Sequence, residues 1–115
     1  MSDNCIFCRI IKGDIPSSKV YEDEYVYAFD DIHPAAPVHV LVVPKKHIDS
    51  LEALNDGNIE EVVHIHKAIQ KVAAAKGIEN KGYRVIVNCG AEAGQSVMHL
   101  HYHIIGGMKM GEKII

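Results

Sequence analysis

Tryptophan is absent and aromatic residues make up only 6% of the chain, which excludes a row of stacking platforms for single-stranded nucleic acid. Positive charge is in the minority, with 12 Lys plus Arg against 15 Asp plus Glu and a formal net charge of −3. Non-specific nucleic-acid binding draws on clustered basic residues, and no such run exists here. No segment approaches the roughly 20 apolar residues that a membrane-spanning helix needs. Met1-Ser2-Asp3-Asn4-Cys5 has no basic stretch followed by an apolar run, so no secretory signal is read and a cytoplasmic location is expected. The three cysteines are an odd number, which speaks against a disulfide framework in that setting. At 115 residues, 48% hydrophobic and 23% charged, the chain reads as a single globular domain over 1–115.

What the chain has in excess is histidine, eight in all, together with a Cys5-x-x-Cys8 pair. Cys5 to Ile11 reads as a short helix, capped by Asp3 or Asn4 and stopped by Gly13. Lys19–Tyr21 and Tyr25–Phe29 read as strands of a hairpin that turns at Glu22-Asp23-Glu24. Asp30 to Pro37 is a loop, and Val38–Val43 is a buried strand ended by Pro44. Asp56 to Ala75 is the one long helix, with Ile59, Val62, Val63, His66, Ile69, Val72 and Ala73 forming its expected buried stripe and Gly77 its stop. Tyr83–Val87 is a strand, Asn88–Gly94 a turn-rich loop, and Val97–Ile105 a long final strand ended by Gly106-Gly107. The expected fold is α+β, a mostly antiparallel sheet with one long helix and a short N-terminal one.

The final strand carries the chemistry. Side chains alternate across a strand, so His99, His101 and His103 share one face at spacings of about 6.6–7 Å. Leu100, Tyr102 and Ile104 take the other face and pack. Three imidazoles do not make a hydrophobic core, and two functional readings compete. They could bind a metal, since imidazole is a good zinc ligand. Alternatively, one is a nucleophile and its neighbour an acid, with a neutral ring nitrogen attacking phosphorus. The glycine-containing loop before the strand offers backbone N–H groups to a phosphate, and Ser96 and Asn88 could add hydrogen bonds. Cys5 and Cys8 share a helix face, but two thiolates alone leave tetrahedral zinc incomplete. A redox reading of the pair lacks the βαβ surroundings it would need.

His99-Leu100-His101-Tyr102-His103-Ile104-Ile105 resembles the signature of the histidine triad superfamily. Asp14-Ile15-Pro16, Tyr21-Glu22-Asp23, Ala28-Phe29-Asp30-Asp31-Ile32, Ala36-Pro37-Val38-His39, Pro44-Lys45-Lys46-His47-Ile48 and Ala93-Gly94-Gln95-Ser96-Val97 resemble its Hint branch, the histidine triad nucleotide-binding proteins. The resemblance runs from about Cys5 to Gly107 and implies a five-stranded sheet. It implies a catalytic group of His99, His101, His103 and Ser96, with His101 as the nucleophile forming a nucleotidyl-histidine. His103 would contact the phosphate and protonate the leaving group, which an imidazole pKa near 6.5 permits close to neutrality. Transferase branches carry Gln at that position, so histidine favours hydrolysis.

The same resemblance implies that Asn88, Gly94 and Ser96 hold the phosphate, that Gln95 and Val97 also bind substrate, and that Asp31 accepts from the ribose hydroxyls. Ile6, Phe7, Ile10, Phe29 and Ile32 would wall the purine, although apolar positions are as readily explained by core packing. It further implies phosphoramidase activity on purine nucleotides, with dinucleoside polyphosphate hydrolysis or a regulatory nucleotide-binding module as alternatives. A structural zinc on Cys5, Cys8, His47 and His99 would complete the cysteine site, with no organic cofactor. The long helix would lie at the interface of a homodimer, with no membrane or nucleic-acid partner. His39 resembles a further family histidine beside the active strand. The tail Met108–Ile115 departs from the Trp-containing end of the animal members.

Overall fold

The computed structural model describes residues 4–115. Five strands form one antiparallel sheet in the order β1-β2-β3-β5-β4. They are β1 (Lys19–Glu22), β2 (Val26–Asp30), β3 (Val38–Pro44), β4 (Tyr83–Val87) and β5 (Tyr102–Gly106). A seven-residue helix α1 (Ile6–Lys12) covers part of one face, and a 17-residue helix α2 (Glu60–Lys76) covers the other. The expected α+β architecture is the one observed. The period-2 alternation of strands sorts the two cores. Val26, Ala28, Val40, Val42, Tyr102 and Ile104 pack toward α2. Tyr27, Phe29, Leu41 and Val43 pack with Phe7, Cys8 and Ile10 of α1.

Three expectations are corrected. The final strand begins at Tyr102, not Val97. The pairing of Val42 with Tyr102 would set Pro44 opposite Leu100, and proline has no N–H to offer a ladder. The Leu100 N–H turns instead to the Ile48 carbonyl at 2.6 Å, and the Pro44 carbonyl is taken by His99. The first helix is capped by Cys5, whose sulfur accepts from the Cys8 N–H; the alternative cap Asp3 lies outside the described residues, and Gly13 ends the helix in the left-handed region at φ 87°.

The long helix starts at Glu60 after a turn and presents a different stripe, burying Ile65, Ala68, Ile69, Val72 and Ala73. Ile59 and Val63 are 45% exposed, His66 is exposed and Val62 is half-buried. Both stripes obey helical spacing and share Ile69, Val72 and Ala73, so periodicity alone does not choose. The small Ala68 decides for close approach to the sheet. Elsewhere the reading is off by about a residue: Tyr25 belongs to the hairpin turn, where Asp23 Oδ1 accepts from the N–H groups of both Tyr25 and Val26 at 2.8 Å.

Candidate active site

His103 lies on β5 opposite Leu41 and Ile86, on the face that α1 only partly covers. Although His99 and His101 precede the strand, alternation carries through the extended segment: Leu100 joins the α2 core, while Phe7 of α1 meets the rings of His99 and His101 edge-on, at 5.9 and 5.1 Å between centroids. The three histidines therefore keep the common side expected of them. The His101 and His103 rings are 5.1 Å apart.

Hydrogen bonds fix which nitrogen of each neutral ring carries its proton. The His101 Nδ1–H donates to the His99 carbonyl at 2.7 Å, so His101 Nε2 holds a free lone pair. The Ala35 N–H donates to His39 Nδ1 at 3.0 Å, which leaves the His39 proton on Nε2. That proton faces His103 Nδ1 at 2.9 Å, so His103 carries its own proton on Nε2. Among the described residues, His103 Nε2 is a buried polar atom without a hydrogen-bond partner. A buried donor left unmet in the free protein is costly, and a ligand oxygen or nitrogen would satisfy it.

Burial holds the pKa of His103 down to about 4, with the neighbouring His101 and His39 adding to the depression and Asp31 opposing it. This corrects the expectation of an ordinary value. His103 is neutral at pH 7 in the free protein and can become imidazolium there only when a bound anion offsets the burial.

A groove of about 350 Å3 opens over these rings. His101, His103, Ser96 and Val97 line it at one end, and Phe7, Ile10, Phe29 and Leu41 form its apolar floor. Phe7, Ile10 and Phe29 are also core residues, so packing and groove lining coincide. Ile6 at 47% and Ile32 at 85% exposure are lining that packing does not explain. Asp31 and His33 sit at the rim, where Asp31 Oδ1 accepts the His33 N–H at 2.8 Å and Oδ2 lies 3.4 Å from His39 Nε2.

Three residues expected to bind substrate, Asn88, Gly94 and Gln95, do not line the groove. Asn88 follows β4 directly, and extending the β4–β5 register sets it opposite His101. Gly94 provides a left-handed turn at φ 81°. Gln95 is a brace: its Oε1 accepts the Gly90 N–H, and its Nε2 donates to the carbonyls of Asp49 and Val97. Ile15, Pro16 and Ser17 line the groove without having been expected. Ser17 is held by a 2.7 Å bond to the Tyr27 hydroxyl, a contact from the loop before β1 to β2 that sequence spacing does not announce.

Beside the groove, Cys5, Cys8, His47 and His99 bring one donor atom each within 4.8 Å of one another. His99 Nδ1 lies 3.3 Å from Cys5 Sγ and 3.6 Å from Cys8 Sγ, and His47 Nδ1 lies 3.2 Å from Cys8 Sγ. The far nitrogens are anchored: His99 Nε2–H donates to the Pro44 carbonyl and His47 Nε2–H to Asp49 Oδ1, both at 2.8 Å. Both lone pairs thus point at the thiols, as metal-ligating histidines do when a carbonyl or carboxylate holds the other nitrogen. Burial lowers the His99 pKa to about 4, which keeps the ring neutral as ligation requires. The donor set suits tetrahedral zinc. Sequence reasoning missed Asp49, whose signal was its position two residues after a ligand candidate.

The family model described as "Scavenger mRNA decapping enzyme C-term binding" matches residues 4–114. An uncharacterised HIT-like protein of Chlamydia trachomatis is 48% identical over 92% of this chain and 95% of its own length. Another from Rickettsia prowazekii is 41% identical over 91% and 88%. Among solved structures, a HIT family hydrolase from Clostridium thermocellum is 55% identical with a TM-score of 0.98, each chain fully covered. A histidine triad protein from Clostridium difficile is 53% identical with a TM-score of 0.94 over 99% of both chains.

Proposed function

The chain belongs to the histidine triad (HIT) family, and from that premise we propose that it hydrolyses purine nucleoside 5′-phosphoramidates, cleaving the P–N bond at the α-phosphorus. The observation that carries this reading is the pair of complementary rings, a lone pair at His101 Nε2 and an unmet donor at His103 Nε2, in one groove with a carboxylate at its rim. The apolar floor suits a purine face, and Asp31 can accept from two vicinal hydroxyls of a ribose.

The bound phosphate's negative charge favours a second proton on His103, at Nδ1, with the His39 Nε2–H turning from that atom to Asp31 Oδ2, 3.4 Å away. His101 Nε2 then donates its lone pair to phosphorus as the P–N bond breaks. The leaving nitrogen keeps that bonding pair and takes the Nε2 proton of His103, departing as a neutral amine. Water attacks the phosphorus of the nucleotidyl-histidine, returns a proton to His103, and frees His101. The His99 carbonyl holds the imidazolium character that His101 acquires in between, through the Nδ1–H bond.

We assign the cysteine cluster to a structural zinc. Its four protein donors leave no open position for substrate, the mark of a structural site. When bound, the ion would cross-link α1, the segment after β3 and the segment before β5. The exposed apolar residues Ile59 at the N-cap of α2, Val63 on α2 and Val85 on the edge strand β4 support pairing as a homodimer; light scattering at a monomer mass overturns that part.

The enzymatic reading is tested by turnover of an adenosine phosphoramidate against diadenosine polyphosphate, with wild type and His101→Ala, and by trapping a slow substrate. Preferential P–N cleavage and a nucleotidyl adduct on His101 are expected. Faster polyphosphate turnover assigns the other branch, and binding with no turnover assigns a regulatory module.

A further inference from the structure

A cavity of about 730 Å3 opens where α2 ends, away from both histidine clusters. Its charged lining is of one sign: Lys76, Lys81 and Lys109, with no Asp or Glu. Val38, Ile78 and Met108 supply an apolar wall. A Cβ added at Gly77 or Gly82 would meet nothing within 4 Å, so these two leave the lining open. Their N–H groups are already bonded to the Ala74 and Ile78 carbonyls, and recognition falls to the ammonium groups. Residues 1–3 cannot reach this lining. They attach to Asn4, which stands with His47 and Asp49 around a separate recess, past the end of β3 opposite Val38. The seven residues of β3 span about 20 Å, and three residues reach at most about 11 Å. The three lysines are not equivalent. Lys76 Nζ holds Asp30 Oδ1 at 2.8 Å, and Asp30 lines the nucleotide groove beside Asp31. Lys81 and Lys109 are exposed and have no ion-pair or hydrogen-bond partner among the described residues.

We propose that this cavity binds a small phosphate monoester with an apolar body, and that its occupation weakens nucleotide binding in the groove. The second half rests on the reading of the groove as a nucleotide site; the first half does not. A phosphate monoester carries a charge of about −1.5 to −2 near neutrality, which two free ammonium groups match and a single carboxylate does not. Lysine serves phosphate as a point charge. The apolar wall, with Ile78 only 5% exposed, takes the body of the ester out of water. A phosphate held there also attracts Lys76. As Lys76 Nζ leaves Asp30, an uncompensated carboxylate remains on the groove, close to a nucleotide that is itself an anion, and like charges repel. By reciprocity, a bound nucleotide weakens the ester by the same factor. The Lys76–Asp30 pair is thus the link between two sites on opposite faces of the sheet.

The test titrates the full chain with hexyl phosphate and follows backbone amides by NMR, with inorganic phosphate, hexanol and phosphatidic-acid vesicles as parallel arms. Saturable shifts are expected at Gly77, Ile78, Lys81, Gly82 and Lys109. Inorganic phosphate should bind at least tenfold more weakly, and hexanol should move nothing. Lys81→Gln combined with Lys109→Gln should weaken hexyl phosphate about tenfold, while the corresponding pair of Arg substitutions retains it. Both side chains are exposed, so neither pair should lower Tm. Saturating hexyl phosphate should raise the Kd of adenosine 5′-monophosphate about threefold, the scale of one partly exposed ion pair, and the Gln pair should abolish that effect. Shifts that do not saturate, that survive the Gln pair, or that appear only with vesicles overturn the site. An unchanged nucleotide Kd, or a rise that survives the Gln pair and so reflects competition within the groove, overturns the coupling. Wild type that binds no nucleotide at all overturns the reading of the groove instead, and the cavity's shifts with hexyl phosphate would still stand.

Discussion

Two clusters of histidines sit side by side on one face of the sheet and meet at a single residue. The His99 ring belongs to the cysteine cluster, while its carbonyl holds His101 in the groove. The residue types are the same, and what differs is where the second nitrogen of each ring is tied. In the cysteine cluster a carbonyl and a carboxylate take the Nε2 protons, and both lone pairs converge on sulfur. In the groove a carbonyl takes the Nδ1 proton of His101 and the remaining rings bond to one another, leaving a free lone pair and a free donor. The anchoring partner, not the position in the signature, decides whether a ring turns its lone pair to the thiols or to the groove.

The comparison breaks most readily at His101. His101→Ala should lower kcat by about 10^3-fold or more, the usual scale for removing a covalent nucleophile. Nucleoside monophosphate binding, read by calorimetry, should stay within about threefold because the groove floor is untouched. Turnover persisting at a tenth of wild type would move the nucleophile elsewhere. The cysteine cluster should answer differently. Elemental analysis should find one zinc per chain, and a chelator should lower the stability by about 3 kcal/mol if ambient metal stands near 100 times its dissociation constant. That corresponds to roughly 10–20 °C in Tm for a domain of this size. Cys8→Ser should already be destabilised and should no longer respond to the chelator. A wild type that is zinc-free and indifferent to chelation would make the cluster a set of thiol–imidazole hydrogen bonds.

Much of this was legible before the fold. The strands of the hairpin, β3, β4 and the stop glycines follow from local rules, and the alternation at His99, His101 and His103 survives even where the ladder does not. What sequence could not supply came from long-range partners. Pro44 shortens β5 from a neighbouring strand, and α2 turns its Ala68 stripe inward because the sheet selects one of two equivalent faces. Gln95 reads as a substrate-binding residue but braces two loops, and the Ala35 N–H that sets the His39 and His103 tautomers is a backbone donor with no sequence signature. The pKa of His103 depends on burial, which only the fold reveals.

That burial sharpens the comparison through pH. His99 and His103 both sit near 4 in the folded chain against about 6.5 when unfolded. The unfolded state therefore binds more protons between those values, and stability should be complete above about pH 6.5 and fall as pH drops toward 4. The fully buried His99 contributes up to about 1.4 kcal/mol per pH unit in that window; the partly exposed His103 contributes less. Denaturant midpoints measured from pH 7.5 to 4 check this, and His99→Asn should flatten the slope. A flat wild-type profile would mean that neither ring is desolvated as described.

The smallest expected effect separates two roles for one carboxylate. Asp31 faces the groove rim, where a ribose would lie, yet its Oδ2 is 3.4 Å from His39 Nε2. If it serves the ribose, Asp31→Asn should raise KM about tenfold, the scale of one charge-assisted hydrogen bond, and leave kcat nearly unchanged. The 2′-deoxy substrate should then lose its disadvantage in the variant, because the group that distinguished it is gone. If Asp31 instead supports the proton on the His39–His103 pair, kcat should fall at constant KM and the ribose discrimination should persist, since removing the one group that raises the His103 pKa leaves its imidazolium harder to form. A KM effect confines the histidine pair to its own hydrogen bonds. A kcat effect extends the proton-holding cluster to the carboxylate and makes the groove, like the cysteine site beside it, a four-residue unit.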